Sequence, residues 1–214
     1  MKEVSEIIKS DPPQEKTEEK KSEGKHDFTN LITEVTKFKE KGCALYKEKK
    51  IEEAKGVFKE GIDAIEKESP IINKERETNE QCKEILLLSK KILSNIALCY
   101  YKQGKYKESI EYDLKIIQNY PNFGKSIVRL FNAYSRLNQL QQAACYGDLF
   151  LELEKDVRDK FKGTQEKVQE AKKKLKEIQK KEKDKIKKDF TKYGIPILVL
   201  LLAALTYFLL RKNK

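Results

Sequence analysis

Lys125 and Arg129 stand four residues apart, a spacing that turns both side chains to one face of a helix. Two cations so placed can grip a carboxylate through charge-assisted hydrogen bonds. A solvated basic face is the plain alternative. Asn95 is harder to assign to a surface. It interrupts an apolar run, ILSNIALCY, where asparagine is a poor helix former and its amide needs a partner. The four cysteines, Cys43, Cys82, Cys99 and Cys145, are 39, 17 and 46 residues apart, and the single histidine is His26. No Cys-x-x-Cys pair exists. This pattern argues against a zinc site and a disulfide framework, and it predicts free thiols, no metal and no cofactor. There is no glycine-rich phosphate loop, nucleophile elbow or metal-binding histidine pair, so the sequence reads as a non-enzyme.

The elements that must position these groups are helical. Of 214 residues, 38% are charged, only 9 are Gly and 5 Pro, and none is Trp. That composition fits long helices and excludes a β-sandwich with its frequent turns. The net charge is +11. Residues 156–192 hold 15 Lys/Arg against 8 Asp/Glu, and Arg211, Lys212 and Lys214 add more. The surplus thus flanks an apolar segment and avoids the rest of the chain. A nucleic-acid binder would carry it on the folded domain, so the distribution favours a membrane surface and no nucleic acid.

Residues 1–27 alternate Lys with Glu around Pro12 and Pro13 and predict a disordered charged leader, His26 included, without a secretory signal. Residues 28–155 are expected to form the folded domain. Residues 156–192 follow as a basic helix, in which Val168, Ala171, Leu175 and Ile178 make one apolar stripe that would cap the domain. The run Lys172 to Lys188 suits either anionic lipid headgroups or a solvated spacer. Residues 194–210, GIPILVLLLAALTYFLL, are 17 uncharged residues between Lys192 and Arg211. As a helix they span about 25 Å, a little short of the ~30 Å hydrocarbon core. A transmembrane tail anchor over 193–210 is expected, with 211–214 as a basic tail. The heavier basic flank puts the domain in the cytosol.

Three segments starting at Val35, Lys90 and Gly124 carry a common frame. Phe38, Gly42, Ala54 and Phe58 fall at positions 4, 8, 20 and 24 of the first. Tyr100 and Ser109 fall at positions 11 and 20 of the second, as Tyr134 and Ala143 do in the third. The second and third segments start 34 residues apart; the first carries an insertion at about 68–82, the polar run ESPIINKERETN. This pattern resembles the tetratricopeptide repeat, and the longer first interval is similar to the modules of immunophilin cochaperones. The resemblance implies an all-α fold: a three-repeat solenoid of helical hairpins, with a long C-terminal capping helix and the single transmembrane helix.

It also implies a ligand. One class of these domains holds the C-terminal carboxylate of seventy- and ninety-kilodalton heat-shock chaperones with five polar residues. Carried over by position, these are Lys39, Asn95, Lys125 and Arg129, with Cys43 standing where the class has a second asparagine. The implied partners are chaperone tails and the bilayer, with a client or membrane-complex protein as a further possibility. A short anchor with basic flanks is similar to those of the mitochondrial outer membrane, with the endoplasmic reticulum second. The other role the resemblance allows is a clamp-free adaptor, or an import or fission receptor, of the outer membrane.

Overall fold

The computed structural model describes residues 26–195, together with 197 and 200–202. Side-chain hydrogen bonds mark the starts of two helices. The Asp27 carboxylate accepts from the Thr29 amide (3.0 Å) at the start of α1, Thr29–Lys47. Asn79 Oδ1 accepts from the Gln81 amide (3.0 Å) at the start of α4, Glu80–Lys102. The remaining elements are α2 (Ile51–Lys67), α3 (Ser69–Glu75), α5 (Tyr106–Asn119), α6 (Gly124–Arg136), α7 (Leu140–Glu152), α8 (Lys155–Arg158), a 3-10 turn and α9 (Thr164–Asp189). Among the described residues there is no strand.

The repeat frame is written in the backbone. Helix pairs α1–α2, α4–α5 and α6–α7 each turn through one left-handed residue: Lys49 (φ 64°), Gly104 (φ 74°) and Asn138 (φ 57°). The same closing bond follows each of them. Lys50 N donates to Leu45 O (3.0 Å), Lys105 N to Tyr100 O (3.0 Å) and Gln139 N to Tyr134 O (2.9 Å). Ala54, Ser109 and Ala143, at the small position of each hairpin, are all 0% exposed. Ser109 satisfies its hydroxyl by donating to Ala97 O at 2.9 Å. At Gly42 a Cβ would lie 2.5 Å from the Phe58 ring, so α1 and α2 touch only because that side chain is absent.

Second helices pack between first helices: α2 lies against α1 and α4, and α5 against α4 and α6. One apolar core joins α1, α2 and α4; a second joins α6, α7 and α9. Buried Val168 and Ala171 of α9 belong to that second core, and an ion pair between Lys172 and Asp148 of α7 holds the same joint. Leu175 is half-buried, whereas Ile178 is 43% exposed, so the capping contact ends there. Beyond it α9 runs exposed to a π-helical turn, Phe190–Gly194.

Two features differ from the sequence reading. The insertion is partly helical: Ile72, within the polar run, is buried and folds α3 onto the core. His26 and Asp27, placed in the leader, are tied to the insertion. Asn79 Nδ2 donates to His26 O (3.0 Å), Gln81 Nε2 to Asp27 Oδ1 (3.1 Å), and His26 Nδ1 meets Glu75 Oε1. Residues 1–25 of the leader lie outside the described residues, as do the basic tail and most of the anchor segment. Among the described residues no helix is long and apolar enough to cross a membrane.

Candidate functional site on the first helices of the repeats

Side-chain hydrogen bonds set the register of α1, α4 and α6. Phe28 N donates to Gln81 Oε1, a separation of 53 residues, and Asn95 meets Cys43 at a separation of 52. The offset hardly changes along the pair, so α1 and α4 run parallel. Tyr120 Oη donates to Leu86 O, 34 residues apart, and Arg129 donates to Ser94 across 35. Tyr120 lies at the end of α5, so Arg129 is the residue of α6 that bonds α4, at the level of Ser94. Helix α4 lies beside both α1 and α6.

On α4 the residues left wholly or half exposed at Glu84, Leu87, Lys91, Asn95, Leu98 and Lys102 step by four and three. Their spacing puts them on one face of the helix. Asn95 lies in the middle of it and donates to Cys43 Sγ at 3.5 Å. The residue at the asparagine position of the first repeat therefore touches the asparagine of the second. Beside them Cys43, Tyr46, Lys47, Phe58, Asn95 and Leu98 line a small pocket of about 130 Å³. Burial pushes the Tyr46 phenol above its ordinary value, with the Cys99 thiol adding to the effect and Arg129 opposing it.

The four sequence-derived cation and amide positions fall on these helices, but in different settings. Lys39 is half-buried on α1, and Lys125 is exposed at the start of α6. Neither has a partner among the described residues. Arg129 is only 8% exposed. Its Nε donates to Asp113 Oδ2 (2.7 Å), and its Nη2 donates to Asp113 Oδ1 (2.6 Å) and Ser94 Oγ (3.1 Å). Asp113, on α5, is 0% exposed; burial pushes its carboxyl up and the guanidinium pulls it back. Nη1 of Arg129 has no partner among the described residues. Asn132 and Ser135, further along α6, donate to their own helix at Val128 O and Phe131 O.

Sequence reasoning missed Asp113 and Ser94. The signal for Asp113 was present: it stands at position 24 of its repeat, where the others have Phe58 and Gly147, and a buried acid needs a cation.

Among solved structures the chain is similar to the C-terminal TPR-containing domain of a protein described as an FK506-binding protein of Plasmodium falciparum. The TM-score is 0.53 at 21% identity, over 69% of this chain and 97% of that one. No protein-family profile and no curated protein matches the sequence. The fold is therefore that of a tetratricopeptide-repeat domain.

Proposed function

We propose that the chain is a non-enzymatic, membrane-anchored receptor that captures the C-terminal carboxylate tail of heat-shock chaperones on the face made by α1, α4 and α6. Lys39, Asn95, Lys125 and Arg129 hold the carboxylates. The observation that supports this reading is the placing of Arg129: Asp113 and Ser94 orient it, and its Nη1 stays open. A guanidinium held in this way meets an anion with little loss of side-chain freedom. Residues 194–210 supply the anchor, with the domain in the cytosol, at the mitochondrial outer membrane in preference to the endoplasmic reticulum.

The test is a titration of the full-length chain, in detergent, with a chaperone C-terminal peptide and with its amidated form. Capture of the terminus requires amidation, or Lys125→Ala, to weaken binding at least about tenfold. Equal binding of both peptides favours the second reading, a clamp-free adaptor of the outer membrane. Two observations speak for that adaptor: Cys43 offers no amide, and Arg129 already spends Nε and Nη2 inside the domain. The anchor has its own test: a reporter fused to residues 187–214 that stays in the soluble fraction overturns it.

A further inference from the structure

The far half of α9 leaves an apolar stripe in the open. Every residue from Lys176 to Tyr193 is exposed. Within this stretch Ile186, Phe190 and Tyr193 are each more than half exposed, and their spacing of four and three puts them on one side of the helix. Gly194 seats the Phe190 ring, for a Cβ there would lie 2.6 Å from it. Lysines stand on both sides of the stripe: Lys183 and Lys187 on one, Lys185 and Lys192 on the other. Residues 179–193 hold 7 lysines against 3 acids, a surplus of +4. The last ion pair along α9, among the described residues, joins Lys174 to Glu170, before this stretch begins. Lys192 lies over the Tyr193 ring, 4.9 Å from its centre.

A solvated spacer has no use for three large apolar side chains in register, since water penalises their exposure. Aromatic rings flanked by lysines suit the boundary between headgroups and acyl chains, where the rings sink and the ammonium groups stay in the polar layer. Phe190 and Tyr193 precede Gly194 by about 6 and 1.5 Å along the axis, inside a headgroup layer of about 5–8 Å per leaflet. Ile186, about 12 Å away, reaches that layer when the helix leans onto its apolar side. We propose that residues 183–193 form an interfacial helix that beds Ile186, Phe190 and Tyr193 into a leaflet rich in anionic lipid, while the flanking lysines engage the headgroups. The surface selects negatively charged membranes, because an uncharged leaflet leaves the lysines without counter-charges. The proposal rests on the tail-anchor reading for the distance to the bilayer, and on α9 itself for the face.

The experiment is hydrogen exchange of the full-length protein in two lipid nanodiscs, one of phosphatidylcholine alone and one with about 30% phosphatidylserine. Exchange at residues 183–193 is expected to be about tenfold slower in the anionic disc, and the difference should shrink as salt is raised. Lys183→Gln, Lys185→Gln, Lys187→Gln and Lys188→Gln together should abolish the difference. Ile186→Ser with Phe190→Ser should reduce it with the charge unchanged. None of these positions touches the docked half of α9, so exchange at residues 164–172 stays as in the parent and reports an intact fold. Equal exchange in the two discs overturns the proposal even where the anchor holds the chain in both. Slowing that appears in both discs and follows the number of chains per disc gives the stripe to a second copy, and also overturns it. If the chain does not enter the neutral disc, the anchor reading falls; binding to anionic vesicles that the four-lysine variant loses then keeps the lipid assignment. Absence of binding to either membrane overturns both.

Discussion

Asp113 Oδ1 and Oδ2 each accept a hydrogen bond from Arg129, at 2.6 and 2.7 Å, and this bidentate pair bolts α5 to α6 at the seam of repeats two and three. Removing one partner from a buried pair leaves an uncompensated charge, which costs about 3–5 kcal/mol. Asp113→Ala should lower the unfolding free energy by that order in urea titrations. Asp113→Ala with Arg129→Met should recover most of the loss, because the apolar pair leaves no charge behind. A single Asp113→Ala as stable as the parent chain would show that the pair is open to water.

The three hairpin turns are not equally comfortable. Gly104 adopts a left-handed backbone at no steric cost and Asn138 at little, but Lys49 carries a side chain there. Lys49→Gly should stabilise the chain by about 0.5–1 kcal/mol, the relief of strain outweighing the added freedom of the unfolded glycine. Thermal melts of Lys49→Gly beside Asn138→Gly test this. A gain at residue 138 equal to that at 49 would contradict the strain argument.

Ala54, Ser109 and Ala143 could be read from the sequence because the close approach of paired helices tolerates only small side chains, whatever else the repeat does. The same rule made Gly42 and the 34-residue frame visible. Asp113 was hidden because its partner is 16 residues away on another helix and takes no part in the periodicity of α5. Helix α3 was hidden because two isoleucines in a polar run carry too little pattern, yet Ile72 finds a core to enter.

Docking of α9 depends on a glycine. A Cβ at Gly147 would lie 2.8 Å from Cγ1 of Val168, which is fully buried. Gly147→Ala gains up to about 1 kcal/mol in helix propensity, but overpacking costs about 1–3 kcal/mol. The variant should therefore melt lower and show faster hydrogen exchange at residues 164–172. Adding Val168→Ala should restore protection of α9 by removing the clash. Continued fast exchange in the double variant would mean that another contact holds the joint.

The thiols should separate by burial. Cys145 is exposed, Cys43 half-buried, and Cys82 and Cys99 buried. Burial pushes the Cys99 thiol up to about 11, so it stays protonated across the neutral range. Native alkylation followed by mass spectrometry should modify Cys145 first and Cys43 more slowly. Cys82 and Cys99 should react only on unfolding. Raising the pH to 9 should leave Cys99 unmodified, since its thiolate remains scarce there. Early labelling of Cys99 would place it outside the core.

Cys43 offers the most direct reading of the proposed site. Its Sγ accepts a long bond from Asn95 and supplies no strong donor of its own. An asparagine there would add an amide donor one turn from Lys39, beside a pocket of about 130 Å³ that can take the larger side chain. If the face captures a terminal carboxylate, Cys43→Asn should tighten the free-acid peptide by about threefold to tenfold, the worth of one modest hydrogen bond. The amidated peptide should gain much less, because the new donor then has no carboxylate to meet. Calorimetric titration of both peptides against both proteins gives the four values needed. Equal tightening of the two peptides would mean that the substitution acts through packing of the pocket. Loss of binding by both would mean that the face needs a small residue at 43, and would favour the clamp-free adaptor.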